Sequence, residues 1–362
     1  MITPHRQTQP RISEEAMTTF QRGIPEFPFR GPVEILDCTL RDGSYSVDFQ
    51  FSEEVITNVL SGLEMSGVRY VELGHGLGLN AGTSLNKPAL VSDERCFEIA
   101  ASTLREARWG MFCIPGIART EHLRQAAAAG MRFVRVGVDI TDVTPAQEFI
   151  ELAGELGLIT FANLMKTNVL DTDGVATAVA RCAGFGAIGV YLVDSVGGYL
   201  PTEVEPLFRR IAETVDVPLG FHGHDNLGLA NANAIAAMEG GAHFVDTTLD
   251  GIGRGAGNAN TEVFAAILRS RGTGSYDYRA LGRLSEDRMR PLTRLHDDRL
   301  YQLVGALTQT HSSFFPLITR CAESVDIDVF ELMEAVADIN RVNPTEELVM
   351  RAASDLAAAC AA

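Results

Sequence analysis

The feature that most limits what this chain can fold into is a repeat: from Val33 onward, short β-branched runs alternate with longer amphipathic stretches, the pattern of parallel strands joined by helical crossovers. Eight runs read as strands: 33–36, 70–73, 110–114, 133–138, 159–163, 189–193, 218–221 and 243–247. Helical periodicity fills the gaps at 53–65, 93–106, 121–129, 145–156, 173–185, 202–215, 227–239 and 261–269, and Gly67, Gly130, Gly157, Gly186 and Gly240 stand where helices must stop. Eight such units closing on one another give an α/β fold, the (β/α)8 TIM barrel. A doubly wound open sheet is the alternative, but nothing marks a reversal of strand order and no G-x-G-x-x-G turn follows the first strand.

A barrel of about 250 residues does not use up a chain of 362. The Pro-broken polar stretch over 1–30 reads as an N-terminal arm, 31–272 as the barrel, and 273–362, after a Gly/Ser/Tyr linker, as a small helical C-terminal domain. With 30 Lys+Arg against 47 Asp+Glu the net charge is -17, which repels nucleic acid and anionic membranes and leaves a small molecule as the expected ligand. An acidic substrate then needs a local cation or a metal to receive it. The cysteines (Cys38, Cys96, Cys113, Cys182, Cys321, Cys360) form no C-x-x-C pairs, so a reducing cytoplasm is the expected home.

In such barrels the chemistry gathers at the carboxyl ends of the strands. Strand one runs into Arg41-Asp42-Gly43, where the acid serves either a site or an ion pair plugging the mouth. Strand seven ends in His222-Gly223-His224; side chains two apart share a face, so both imidazoles can hold one cation or be satisfied by hydrogen bonds. Joined by Asp42, they make a two-His, one-carboxylate set with open positions, suited to Mn2+, Mg2+, Co2+, Fe2+ or Zn2+. Asn258 after strand eight is either a further oxygen ligand or a polar turn residue. Ser195, in Asp194-Ser195-Val196-Gly197-Gly198 after strand six, can donate to a carboxylate or sit in an ordinary turn, and His75 after strand two can face the site or be structural.

Taken together, Thr39-Leu40-Arg41-Asp42-Gly43, His222-Gly223-His224 and the Gly251–Ala259 segment resemble the metallolyase barrels that include 4-hydroxy-2-oxovalerate aldolase, hydroxymethylglutaryl-CoA lyase and isopropylmalate synthase. The loops at Glu72–Gly76 and Asp194–Gly198, and the His311-Ser312-Ser313-Phe314-Phe315 tail, are most similar to the pyruvate-handling aldolases. That resemblance implies a divalent metal, Mn2+ foremost, on Asp42, His222, His224 and Asn258. It implies Arg41 on the pyruvyl oxygens and Ser195 on the carboxylate, with His75 nearby. It also implies a homo-oligomer and contact with an acylating aldehyde dehydrogenase.

The aldolases usually carry a histidine three residues after the metal aspartate and a tyrosine before the Ser-Ser-Phe of the tail; here Tyr45 and His311 stand there, as though exchanged. His311, with an ordinary pKa of about 6.5, is then the expected proton-transfer group and Tyr45 its companion. The implied reaction is reversible cleavage of a 4-hydroxy-2-oxo acid to pyruvate, or a close analogue, and an aldehyde. Claisen-type chemistry on an acyl-CoA is the second expectation, and a non-catalytic metal-binding scaffold the third.

Overall fold

The computed structural model describes residues 33–292 and 298–361, so the expected N-terminal arm lies outside the described residues, as does the side chain of Cys360. Eight parallel strands hydrogen-bond in chain order and close into a barrel. They are β1 (Glu34–Leu40), β2 (Tyr70–Leu73), β3 (Arg108–Cys113), β4 (Phe133–Asp139), β5 (Ile159–Met165), β6 (Gly189–Asp194), β7 (Leu219–Gly223) and β8 (Ala242–Thr247). Pairing of β8 with β1 removes the open-sheet alternative. Between and after them run α1 (Glu53–Met65), α2 (Asp93–Thr103), α3 (Thr120–Ala128), α4 (Gln147–Glu155), α5 (Thr172–Gly184), α6 (Pro201–Thr214), α7 (Ala230–Glu239) and α8 (Thr261–Ser270). Side chains of Ser52, Ser92 and Asp171 accept backbone N–H groups at the starts of α1, α2 and α5, which sets where those helices begin.

Two of the boundaries that differ from the sequence expectation are set by a distant group that satisfies polar atoms. Strand β1 continues to Leu40 instead of stopping at 36. Inside it the Asp37 carboxylate accepts from Thr261 Oγ1 (2.6 Å) and Thr39 Oγ1 accepts from Leu249 N (2.8 Å), so neither polar residue breaks the strand. Helix α2 ends at Thr103, short of 106, where one oxygen of Glu64, from α1, takes the backbone N–H groups of Arg105, Glu106 and Ala107 at 2.8, 2.8 and 2.9 Å.

Inside the barrel, Leu36, Cys38, Tyr70, Phe133, Phe161, Tyr191 and Phe244 form a closed apolar plug. The rings meet edge to face, as at Phe161–Tyr191 (5.5 Å, 88°) and Tyr70–Phe244 (5.5 Å, 89°). So many rings fit because neighbouring strand positions are glycines: a Cβ on Gly110 would come to 2.4 Å from Phe133, and one on Gly220 to 2.5 Å from Tyr191. The aromatic plug closes the amino-terminal end of the barrel and supports the polar residues above it.

Beyond the barrel come α9 (Tyr278–Leu284), a π-helical turn at Ser285–Met289, and then α10 (Arg299–Thr308), α11 (Phe315–Val325), α12 (Val329–Asn340) and α13 (Glu346–Ala361). Tyr276, Leu281 and Met289 pack into the barrel's apolar cluster, and the Tyr276 hydroxyl accepts from Ile35 N at 3.0 Å. The later helices gather around a cluster of their own with Ile318, Leu332, Met333, Val336 and Val349 at its centre. Apolar packing therefore passes from one cluster to the other between Met289 and Val304, beyond the linker that the sequence suggested.

Gly220→Ala forces the Tyr191 ring out of its place and is expected to cost about 1–3 kcal/mol in urea denaturation. Gly154→Ala, on α4 with open space around it, is the control and is expected to be neutral or stabilising by up to about 1 kcal/mol.

Candidate active site

Asp42 opens the turn that follows β1, His222 lies near the end of β7, and His224 stands just beyond it; all three are buried at the carboxyl end of the barrel. One ligand atom from each lies within 4.8 Å of the others. The strand alternation expected for the two histidines holds, with their rings 5.1 Å apart. Both rings are oriented from behind. His222 Nδ1 donates to Asp246 Oδ2 at 2.8 Å, and His224 Nδ1 donates to the Gly257 carbonyl at 3.2 Å. With Nδ1 the donor in each ring, Nε2 carries the lone pair that a metal-binding imidazole requires, and at His224 an Arg254 Nη2 lies 3.2 Å from it.

Asn258 joins this group through tertiary contact. A bridge pairs His224 with Asn258, and Asn258 Nδ2 donates to Asp42 Oδ2 at 2.6 Å. Its Oδ1 is buried and has no hydrogen-bond partner, an unmet acceptor on a residue whose Nδ2 touches Asp42. Two imidazole nitrogens and a carboxylate oxygen within 4.8 Å of one another, with the Asn258 amide against Asp42, suit a divalent cation of the Mn2+ or Mg2+ kind as well as Zn2+. A second grouping, Cys38, His222 and Asp246, shares His222 but suits a cation poorly. Burial pushes the Cys38 thiol well above its ordinary range, and Arg135 already holds Asp246.

A chain of buried charges supports the site. Arg41 Nε donates to Glu72 Oε2 (2.6 Å) and Nη1 to Asp42 Oδ1 (2.7 Å), with the guanidinium 4.7 Å from the Phe112 ring centre. Glu72 Oε1 accepts from Arg135 Nε at 3.0 Å, and Arg135 Nη1 donates to Asp246. Burial alone would raise the Asp42 carboxyl, but the Arg41 charge, the two histidines and the Asn258 hydrogen bond together outweigh it and hold the carboxyl well below the usual range. Two guanidiniums thus face three carboxylates, a buried excess of negative charge into which a cation fits.

The other expected residues lie around this centre unequally. The Ser195 hydroxyl oxygen accepts from Lys166 N at 2.9 Å, which leaves its hydrogen free to donate. Tyr45 lies in the same turn as Asp42, against Gly76, and burial pushes its hydroxyl up to about 12. Desolvation and the nearby Arg254 and Lys166 charges pull His311 down to about 3, with Asp139 opposing. It is therefore neutral where an isolated histidine would be changing charge. Its Nδ1 lies 2.8 Å from Ser313 Oγ.

Both ring nitrogens of His75 are used on backbone, Nε2 with the Lys87 carbonyl (3.0 Å) and Nδ1 with Leu77 N (3.2 Å). Its ring stacks on Phe49, which abuts Tyr45, so it reaches the expected site through those two rings. Sequence reasoning missed Glu72, Arg135, Asp246 and Arg254 as members of the site. A signal existed for Arg135, a charged residue within the apolar strand run Phe133–Asp139.

A family model described as HMGL-like matches residues 32–287. The 4-hydroxy-2-oxovalerate aldolase of Moorella thermoacetica is 33% identical over 331 residues, 90% of this chain and 97% of that protein. The oxaloacetate decarboxylase of Mycobacterium tuberculosis is 37% identical over 243 residues, 67% of this chain and 71% of that protein. Among solved structures, the N-terminal domain of a putative aldolase from Bacteroides vulgatus has a TM-score of 0.62 at 22% identity, covering 91% of this chain and all of that one, a likeness of fold.

Asp246→Asn is expected to weaken Mn2+ binding by about 10–100-fold, read from calorimetric titration, because His222 loses the carboxylate that orients it. In the unsubstituted protein, Mn2+ at about 100 times its Kd is expected to stabilise by roughly 2.7 kcal/mol, read as a rise in Tm. For His311, a folded pKa below the unfolded one means that the imidazole gains no proton on acidification from pH 7 to 5. Its 15N resonances are expected to keep a neutral pattern there, and a midpoint near 6.5 would contradict the placement.

Proposed function

Because the chain belongs to the HMGL-like family, we propose that it is a divalent-metal-dependent carbon–carbon lyase, an aldolase that interconverts a 4-hydroxy-2-oxo acid with pyruvate, or a close analogue, and an aldehyde. The observation that carries this reading is the Asp42, His222 and His224 group with Nε2 the unprotonated nitrogen of both rings, joined by Asn258 with its buried, unpartnered oxygen. The 4-hydroxy-2-oxovalerate aldolases among its relatives support the same reaction class. These four side chains hold the cation, with Mn2+ the ion of choice and Mg2+, Co2+ or Zn2+ able to replace it. When bound, it supplies Lewis-acid stabilisation of the enolate.

The remaining steps belong to this chain's own residues. Arg41, fixed by Glu72 and Asp42, presents a positive guanidinium to the 2-oxo oxygen, where negative charge grows only as the C3–C4 bond breaks. Ser195 donates its free hydroxyl hydrogen to the substrate carboxylate. His311 takes the C4 hydroxyl proton: its Nδ1 is held by Ser313 N (3.2 Å) and Ser313 Oγ (2.8 Å), and neutrality at pH 7 keeps the imidazole able to accept a proton. Tyr45, protonated because burial raises its hydroxyl to about 12, is a donor that orients the C4 oxygen.

The barrel unit ends near Met289 in this reading, and the helical unit over 298–361 closes the mouth. That helical unit is also the face for an acylating aldehyde dehydrogenase, which would take the aldehyde, and the chain works as a homo-oligomer in the cytoplasm. No helix among the described residues is long and apolar enough to cross a membrane. A second reading, decarboxylation of oxaloacetate, is favoured by the Mycobacterium tuberculosis relative and breaks a bond beside the same pyruvyl group.

Pyruvate release from a panel of 4-hydroxy-2-oxo acids, with oxaloacetate alongside, is expected to require added metal and to vanish in His222→Ala. His311→Ala is expected to lower kcat about 10²–10⁴-fold while leaving metal affinity unchanged. Equal turnover in that variant removes His311 from the chemistry, and release from oxaloacetate alone selects the decarboxylase reading.

A further inference from the structure

Arg254 lies in the loop after β8 and has no assigned part in the chemistry above. Its Nη2 donates to the Ser195 carbonyl at 2.9 Å and lies 3.2 Å from His224 Nε2, while Nη1 donates to Ser312 Oγ, which belongs to the helical unit. Among the described residues no carboxylate lies within 4.0 Å of it, and each other cation near the centre has one. Arg41 is paired with Glu72 and Asp42, Arg135 with Glu72 and Asp246, and Lys166 with Asp139 at 2.8 Å. The adjoining cleft is lined by Ser195, His224, Arg254, Gln302, Thr310 and Ser312 among others, with no acid among its lining residues. In a chain of net charge -17, a half-buried guanidinium without a counter-charge is a place prepared for an anion.

The geometry also indicates which anion. Arg41 is bonded to Asp42 and Arg254 adjoins His224, so each arginine sits against a different member of the ligand group. The carboxylate and 2-oxo group of a 2-oxo acid are on adjacent carbons, so an acid held at Arg41 by its 2-oxo oxygen needs a second cation close by for its carboxylate. Ser195 and Ser312 both have hydroxyl oxygens occupied as acceptors and hydrogens left to donate. We propose that Arg254, with Ser195 and Ser312, is the receptor for the C1 carboxylate of the 2-oxo acid, which makes it the residue that selects acids over neutral 2-oxo compounds. This rests on the pyruvate-handling reading of the site and adds that an anion joins the barrel loop to the helical unit through Ser312.

His224 Nε2 has one lone pair, for which the Arg254 hydrogen and a metal ion compete. Removing the guanidinium therefore removes a competitor and a repelling charge from the metal site. A residue that merely supported the metal ligands would have the opposite effect.

The test uses the full chain loaded with Mn2+ and follows exchange of the pyruvate methyl hydrogens in D2O by NMR, a reaction that needs no aldehyde. Oxalate binding is measured in parallel by calorimetry. Arg254→Ala is expected to raise the pyruvate half-saturation and the oxalate Kd on the order of 10²-fold. It is expected to leave exchange at saturation within about fivefold and to bind Mn2+ as tightly as, or more tightly than, the unsubstituted chain. Arg254→Lys is expected to recover part of the loss, and methyl pyruvate, lacking the charge, to be indifferent to the substitution. Unchanged half-saturation in Arg254→Ala, an equal loss with methyl pyruvate, or weakened Mn2+ binding overturns the assignment. If the unsubstituted protein neither exchanges pyruvate nor binds oxalate, the aldolase reading falls and takes this assignment with it; if it does both and Arg254→Ala matches it, only the assignment falls.

Discussion

The buried run Arg41–Glu72–Arg135–Asp246–His222 is the constraint on which the rest of the site depends. Charges in a low-dielectric interior persist only if each is paired and hydrogen-bonded, and here every member serves two partners. Glu72 joins the two arginines, Asp246 joins Arg135 to His222, and Arg41 joins Glu72 to Asp42. Through Arg41 the run reaches Asp42 and it ends at His222, so it ties together two candidate metal ligands from different strands. A shift in any member moves a ligand, so the network fixes the ligand geometry before an ion arrives. Replacing such a network by apolar side chains could well leave a more stable barrel, since buried ion pairs contribute little net stability. Its presence is better explained by position than by stability.

Below the charges lies the ring-filled plug, and the two layers need each other. Arg135 is fully buried, with its guanidinium 4.6 Å from the Tyr191 ring centre, so its lower face contacts the plug while its nitrogens reach the carboxylates. Glycines at Gly110, Gly189 and Gly220 make room for rings that a Cβ would displace. The plug excludes water from below, which strengthens every electrostatic interaction above it.

Above the charges, the helical unit approaches through loops of small residues. A Cβ on Gly198 would meet Gln309 at 2.3 Å and one on Gly255 would meet Gln302 at 2.8 Å, so these glycines let α10 sit directly over the β6 and β8 loops. Asn226 fixes the contact by donating to the Gln302 carbonyl and side-chain oxygen at 2.9 and 3.1 Å. This brings His311 and Ser312 to the mouth, where Arg254 and Lys166 supply positive charge to an otherwise acidic protein. His311 and Ser312 of one unit meet Arg254 and Lys166 of the other only because of that contact.

The amino-acid sequence by itself determined the eight-unit barrel, since strand and helix periods are local properties of the chain, and it marked Asp42, His222 and His224 through their positions just past strand ends. His222 and His224 needed nothing more than the two-residue alternation of a strand to be placed on one face. Tertiary structure alone decided the rest. Asp37 and Thr39 remain in β1 because Thr261 and Leu249, more than 200 positions away, satisfy them. His75 has both ring nitrogens tied to backbone at Leu77 and Lys87, and Arg254 has no carboxylate within 4.0 Å among the described residues. The reason is physical: a side chain's period along its own element is written in nearby residues, whereas its partner, its protonation and its unmet bonds depend on which distant segments the closed barrel brings against it.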